Sequence, residues 1–246
     1  MKTIMRLLTA FFMFIIFFAY PQFVFAGIQI NSHAKYADGG FISEAVVYYI
    51  ITNPQGQKLG YDPRTNQDYK EFKGGYGTEG IDEFYTADMY FTPIDGNYTI
   101  EAIGDGLMAF SIDVSIYREI KGEGFAPNMV VQGLTDKGFT SKFQFTYTSD
   151  PSKPAGTATR IATPSSLKQD ITLSRKIGWI DNDGIMMSLY KKAEAIEKSI
   201  SKGDATTAKN QIEAFINEVN AQKDKHITDK SAQILLEDAQ YLMEHL

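Results

Sequence analysis

From Trp179 to Leu246 apolar residues recur at three- and four-residue steps, whereas before Ser149 they recur at every second position. That change of period demands two different architectures within one chain. In the last third, Ile185, Leu189, Ala193, Ile196 and Ile200 form one helical stripe, and Ala208, Ile212, Phe215, Ile216 and Val219 form a second. Ile234, Leu235, Ala239 and Leu242 form a third. Asp181-Asn182-Asp183-Gly184 opens the first segment, Gly203-Asp204 ends it and caps the next, and Thr228-Asp229 caps the last. Ser165-Ser166 is expected to cap a shorter leading segment carrying Leu167, Ile171 and Ile177. Connections this short force antiparallel neighbours, so residues 165–246 are expected to form an antiparallel bundle of three to four helices.

The earlier part reads as strands. Phe110, Ile112, Val114 and Ile116 alternate with Ser111, Asp113 and Ser115, which places apolar side chains on one face and polar ones on the other. Tyr98, Ile100 and Ala102 follow the same rule, as do Phe143, Phe145 and Tyr147. Ala45 to Thr52 is apolar on both faces and is expected to be central, ending at Asn53-Pro54-Gln55-Gly56. Pro93-Ile94-Asp95-Gly96-Asn97 carries Asp-Gly turn chemistry and is expected to join two strands in a hairpin. The reading is an antiparallel β-sandwich over residues 27–148 followed by the helical bundle, a multidomain α and β chain. Residues 149–164 lie in a run rich in Pro, Ser, Thr and Ala that reads as a linker, across which few contacts are expected and near whose Lys153 or Arg160 proteolysis should cut.

Residues 1–26 read as a secretory signal peptide: Lys2 and Arg6, the apolar run Leu7 to Tyr20, then Val24-Phe25-Ala26 before Gly27. The run is shorter than the roughly 20 residues that span a bilayer, no cysteine follows it for lipid attachment, and no later segment is apolar enough to cross a membrane. The mature protein is therefore expected to be secreted, periplasmic or extracellular. Cleavage leaves 24 less 2 basic residues against 30 acidic ones, moving the net charge from −6 to −8, which gives no basic footprint for nucleic acid. With no cysteine in an exported chain, stability must come from burial rather than disulfides.

One segment breaks the strand rhythm. Between Leu59 and Glu83 lie Gly60-Tyr61-Asp62-Pro63-Arg64-Thr65-Asn66 and then Tyr69, Phe72, Gly74, Gly75, Tyr76 and Gly77. A long excursion of this kind suits recognition, since tyrosine offers a stacking face and a hydroxyl. Tyr61, Asp62, Arg64, Tyr69 and Tyr76 are the expected ligand contacts, while the same rings could instead cover the open end of the sandwich. Catalytic chemistry is not indicated: Asp62, Glu79, Asp82 and Glu83 are generic acids without a paired nucleophile. His33, His226 and His245 lack ligand spacing, and Trp179 stands where a calcium loop requires its first ligand. No cofactor or metal is expected.

Two resemblances accompany these readings. Ile51-Thr52-Asn53-Pro54-Gln55-Gly56-Gln57-Lys58-Leu59-Gly60-Tyr61-Asp62-Pro63, then Tyr76-Gly77 and Pro93 to Thr99, resemble sandwich modules of bacterial extracellular proteins, similar in plan to pre-peptidase C-terminal and immunoglobulin-like domains. Gly178-Trp179-Ile180-Asp181-Asn182-Asp183-Gly184, Lys202-Gly203-Asp204, Ala214-Phe215-Ile216-Asn217-Glu218-Val219-Asn220-Ala221-Gln222 and Lys225-His226-Ile227 resemble the FIMAH domain, with Asn217 and Val219 departing from its histidine-bearing form. Asn217, Asn220 and Gln222 are expected to satisfy orphan groups at a helix end. Both resemblances imply accessory modules, hence a non-enzymatic secreted protein that adheres to or targets a cell-surface glycan, peptide or exported partner. The alternatives are a subunit or remnant of a secreted hydrolase, peptidase or glycosidase, and a structural envelope-assembly protein.

Overall fold

The computed structural model describes residues 27–35, 47–81, 84–117, 128–150, 152–154 and 156–246. Residues 1–26, where the sequence leads one to expect a leader, and the acids Asp82 and Glu83 lie outside them. Two antiparallel sheets form the first part. The five-stranded sheet runs in the order β5 (Gly74–Ile81), β6 (Phe84–Phe91), β1 (Gly27–Lys35), β8 (Met108–Tyr117) and β9 (Asn128–Thr135). The six-stranded sheet runs β11 (Thr159–Ile161), β10 (Thr140–Tyr147), β7 (Gly96–Gly104), β2 (Val47–Thr52), β3 (Lys58–Asp62) and β4 (Gln67–Lys70). Each alternating strand sends its apolar residues to a shared core, where Ile28, Ile30, Ile112, Val114 and Ile116 belong to one cluster with Tyr49, Ile51, Ile100, Phe143 and Phe145. Tyr98 stacks on Phe145 with centroids 5.1 Å apart, and the buried Tyr49 hydroxyl donates to the Ile30 carbonyl at 3.0 Å, pinning one sheet to the other. The sandwich and the interior place of the doubly apolar strand β2 agree with the sequence pattern.

The Asp95-Gly96 segment departs from expectation. It connects β6 of one sheet to β7 of the other rather than closing a hairpin, because Pro93 is buried at the edge of the core and the Tyr98 hydroxyl holds both the N–H and the carbonyl of Ile94, at 2.8 and 3.0 Å. The tyrosine-rich excursion is likewise not an open loop. It is built from β3, β4 and β5, with a crossing from the six- to the five-stranded sheet between the last two. Gly60 makes the bend in β3 possible: its φ is 131° and a Cβ there would sit 2.1 Å from the Tyr49 carbonyl oxygen. Gly60→Ala is therefore expected to cost about 1–3 kcal/mol of unfolding free energy in urea denaturation, the range for backbone held where L side chains do not fit.

Four helices follow: α1 (Pro164–Lys176), α2 (Asp183–Ser201), α3 (Ala205–Gln222) and α4 (Asp229–Glu244). Asn182, Asp204 and Thr228 cap α2, α3 and α4 as the turn chemistry indicates, each accepting from a backbone N–H three residues on. The first cap is Thr163 rather than Ser165-Ser166. Pro164 takes the first helical position, and Thr163 and Ser166 exchange side-chain-to-backbone bonds in a capping box. The helical stripes converge on Leu189, Ile196, Ile212, Phe215, Val219 and Leu235, all inaccessible to solvent. The two inter-helix turns at one end are clamped together. Ile180 bridges Ile227, the Asp181 N–H donates to the His226 carbonyl, the Thr228 N–H donates to the Trp179 carbonyl, and the His226 ring meets the Asp181 carboxylate at 2.8 Å. Asn217 and Asn220 instead lie exposed, and at that helix end it is the Gln222 carbonyl that accepts from the N–H groups of Lys225, His226 and Ile227.

The linker reading fails at its C-terminal end. Thr159–Ile161 adds strand β11 to β10, and Arg160 is buried, so it offers no cleavage site, while Lys153 is exposed. Contacts across the segment are also numerous. Leu134 of the sandwich packs with Leu173 and Ile234 of the bundle, flanked by Leu107, Ala109, Ile177 and Trp179. Lys176 donates to Asp136 at 2.8 Å, which together with the Lys137 N–H outweighs the upward push of burial and holds the Asp136 carboxyl below its usual range. The apolar side chains that dock the helices lie outside the Pro- and Thr-rich run, so the composition of that run does not reveal the contact.

Candidate functional site

The tyrosine-bearing hairpin begins at the β2–β3 turn. There the Asn53 carboxamide oxygen accepts from the N–H groups of Gln55 and Gln57 at 3.0 and 2.9 Å, and Gly56 takes a φ of 79°. The β3–β4 turn is set by Asp62, whose carboxylate accepts from the Arg64 N–H at 2.9 Å, with Asn66 in the left-handed region at φ 55°. Arg64 then folds back in a bidentate pair, Nε to Asp62 Oδ1 and Nη2 to Asp62 Oδ2, both at 2.8 Å. It also reaches Glu101 on β7 at 3.0 Å and the Thr140 hydroxyl on β10 at 3.1 Å. Glu101 in turn faces Lys142, its register partner, at 3.8 Å. The hydrogen bonds from Arg64 hold the Asp62 carboxyl below its ordinary range despite its burial, and the same bonds to Asp62 push Arg64 up. Asp62 and Arg64 are thus committed to each other and to the neighbouring strands, and they stiffen the hairpin.

The rings lie beside this brace. Tyr61 is half-buried, edge-on to Tyr48 with centroids 5.2 Å apart, and its hydroxyl pairs with the Asn66 amide oxygen at 2.7 Å. Tyr69 is half-buried on β4, its hydroxyl 3.2 Å from Gln67 Oε1 and its ring 5.1 Å beneath the Lys58 ammonium. The structure therefore brings Tyr61, Asp62, Arg64 and Tyr69 together on one hairpin. Tyr76 is separated from them: it lies on β5 of the other sheet, in register with Met89. Glu79 is on that strand as well. Sequence reading missed Lys58, at the start of β3 itself, and Tyr48, Glu101 and Thr140, which come from three other strands and carry no local signal beyond the turn residues that fold the hairpin over them.

A second polar cluster lies at the junction of the two parts, and nothing in the sequence reading anticipated it. Arg160, on β11, donates from Nε to Asp238 Oδ1 at 2.8 Å, from Nη2 to Asp170 Oδ2 at 2.6 Å and from Nη1 to the Gln132 carbonyl at 2.8 Å. Its guanidinium sits over the Phe143 ring at 5.3 Å. All three charged side chains are buried, with residual exposures of 5% for Arg160, 1% for Asp170 and 0% for Asp238. Burial pulls the Arg160 guanidinium down, but the two carboxylates outweigh it and raise its proton affinity. Among the described residues no group of three or more His, Cys, Asp or Glu is placed to hold a metal ion. No described helix is long and apolar enough to cross a membrane.

No curated protein and no solved structure matches the chain significantly. Residues 164–244, the whole of the four-helix module from the start of α1 to the end of α4, match the profile of the FIMAH domain, so the chain is a β-sandwich joined to a helical module that is similar to that domain.

Proposed function

We propose that this is an exported, non-enzymatic accessory protein of a bacterial envelope, and that its β3–β4 hairpin attaches it to a cell-surface glycan. The observation that supports the reading is the presence of Tyr61 and Tyr69 on one braced hairpin, at ladder positions opposite Asp68 and Gly60. Each ring leaves part of its surface open to solvent, and the amides of Asn66 and Gln67 lie alongside. Sugars are gripped by apolar ring faces flanked by hydrogen-bonding groups, and a hairpin held by Asp62, Arg64 and Glu101 loses little freedom on binding. Arg64 acts here as a positioning residue, since its donors are occupied by protein partners.

The test is sedimentation of the purified mature protein with insoluble envelope polysaccharide. The double variant Tyr61→Ala and Tyr69→Ala is expected to bind at least about tenfold more weakly, the scale of losing two aromatic contacts, with circular dichroism unchanged. Equal retention of the variant overturns the assignment of the hairpin. Retention that survives glycosidase treatment of the envelope material but not protease treatment replaces the glycan with a peptide or exported protein.

A further inference from the structure

At the junction between sandwich and bundle, one guanidinium faces two carboxylates. Arg160 uses one oxygen of each: Asp170 Oδ2 and Asp238 Oδ1. The other two oxygens, Asp170 Oδ1 and Asp238 Oδ2, are buried and have no hydrogen-bond donor among the described residues. Two ionised aspartates against one arginine would leave a net negative charge in a place where their exposures are 1% and 0%. Leaving a charge buried and uncompensated costs several kcal/mol, and leaving two acceptors orphaned adds to it. One proton removes both defects, because a carboxylic O–H on one aspartate can donate to the free oxygen of the other.

We propose that Asp170 and Asp238 share a single proton between Asp170 Oδ1 and Asp238 Oδ2, and that this proton locks the helical bundle onto the sandwich, making the docking of the two parts sensitive to pH. The cluster is complete only when the parts are docked, because the guanidinium comes from the sandwich and both carboxylates from helices of the bundle. Arg160 is on the last strand of the sandwich, Asp170 on α1 and Asp238 on α4. The groups facing the pair are Arg160, the Gln132 carbonyl on β9, the Phe143 ring on β10 and the more distant Glu237 carboxylate on α4, which interacts with Arg160. Glu237 adds negative charge and so favours retention of the proton.

Burial pushes the Asp170 carboxyl well above the usual carboxylate range; Arg160 opposes this, and the charge and hydrogen bonding of Asp238 reinforce it. The unfolded chain ionises Asp170 at its ordinary pKa, so above that pH folding takes up a proton. The stability this confers is complete below the unfolded pKa and is lost as pH rises through the folded pKa. Asp62 and Asp136, whose carboxyls are held low, act in the opposite sense, with stability lost as pH falls. Comparison with a variant lacking the shared proton separates the two effects. Asp170→Asn serves, since its amide can donate to Asp238 Oδ2 while its oxygen accepts from Arg160.

The experiment is urea unfolding of the full chain at stepped pH, wild type against Asp170→Asn, with infrared spectroscopy of the carboxylic C=O stretch. The ratio of the two unfolding constants is expected to change about tenfold per pH unit above about pH 4, with the wild type losing ground as pH rises. A neutral-acid band is expected in the wild type at neutral pH. It should disappear in alkali together with faster cleavage by trypsin after Arg160, whose side chain is buried while the parts are docked. A ratio independent of pH overturns the proposal. Should Asp170→Asn not fold, the wild-type spectrum decides alone: absence of the neutral-acid band at neutral pH overturns it.

Discussion

Arg160→Ala is expected to lower the unfolding free energy by about 3–5 kcal/mol, the scale for breaking a buried ion pair by removing one partner. The substitution deprives Asp170 and Asp238 of the guanidinium donors, frees the Gln132 carbonyl and uncovers the face of Phe143. Because the two carboxylates belong to the bundle and the arginine to the sandwich, the loss should also uncouple the parts. Calorimetry of the wild type should show one transition, and that of the variant two, with the bundle melting first. A single transition at an unchanged temperature would show that the apolar contacts of Leu134, Leu173 and Ile234 suffice for docking.

Phe215→Ala is expected to cost about 3–5 kcal/mol, the range for truncating a fully buried phenylalanine. Phe215 is the largest fully buried side chain of the bundle, and it lies in α3, among the residues of the FIMAH match. A helical module of this size without disulfides has only a few kcal/mol in reserve. The variant should therefore lose most of its helical circular dichroism at 37 °C while retaining the strand signal. Retention of full helicity would mean that docking on the sandwich contributes much of the bundle's stability.

Much of this architecture is legible in the residues, and the reasons differ by element. The helical stripes and three of the four caps follow from local chemistry, since Asn182, Asp204 and Thr228 act on N–H groups three residues away. Strand identity follows from alternation, as in β8 and β10. What alternation does not encode is which sheet a strand joins. The Asp95-Gly96 turn reads as a hairpin because its dipeptide favours one, yet the burial of Pro93 and the reach of Tyr98 carry the chain across the core. The same limit separates Tyr76 from Tyr61 and Tyr69. They are close in sequence, but the crossing between β4 and β5 places Tyr76 on the opposite sheet. Arg160 was hidden for a further reason. A lone arginine in a Thr- and Ala-rich run reads as solvated, and only its partners at positions 170 and 238 reveal otherwise.

The three residues of β11 set an order on the folding of the chain. Their backbone completes the sheet early, through pairing with β10 only a short distance upstream. The Arg160 side chain, by contrast, meets Asp238 across 78 residues of sequence. Closing a loop of that length is slow compared with forming local helices, so the Asp238 contact is expected to form after the local one to Asp170, ten residues on. During folding that interval leaves a charged edge open to water, and a charged edge strand resists pairing with strands of other chains. The arginine that ends as an interior lock would thus serve first as a guard against aggregation.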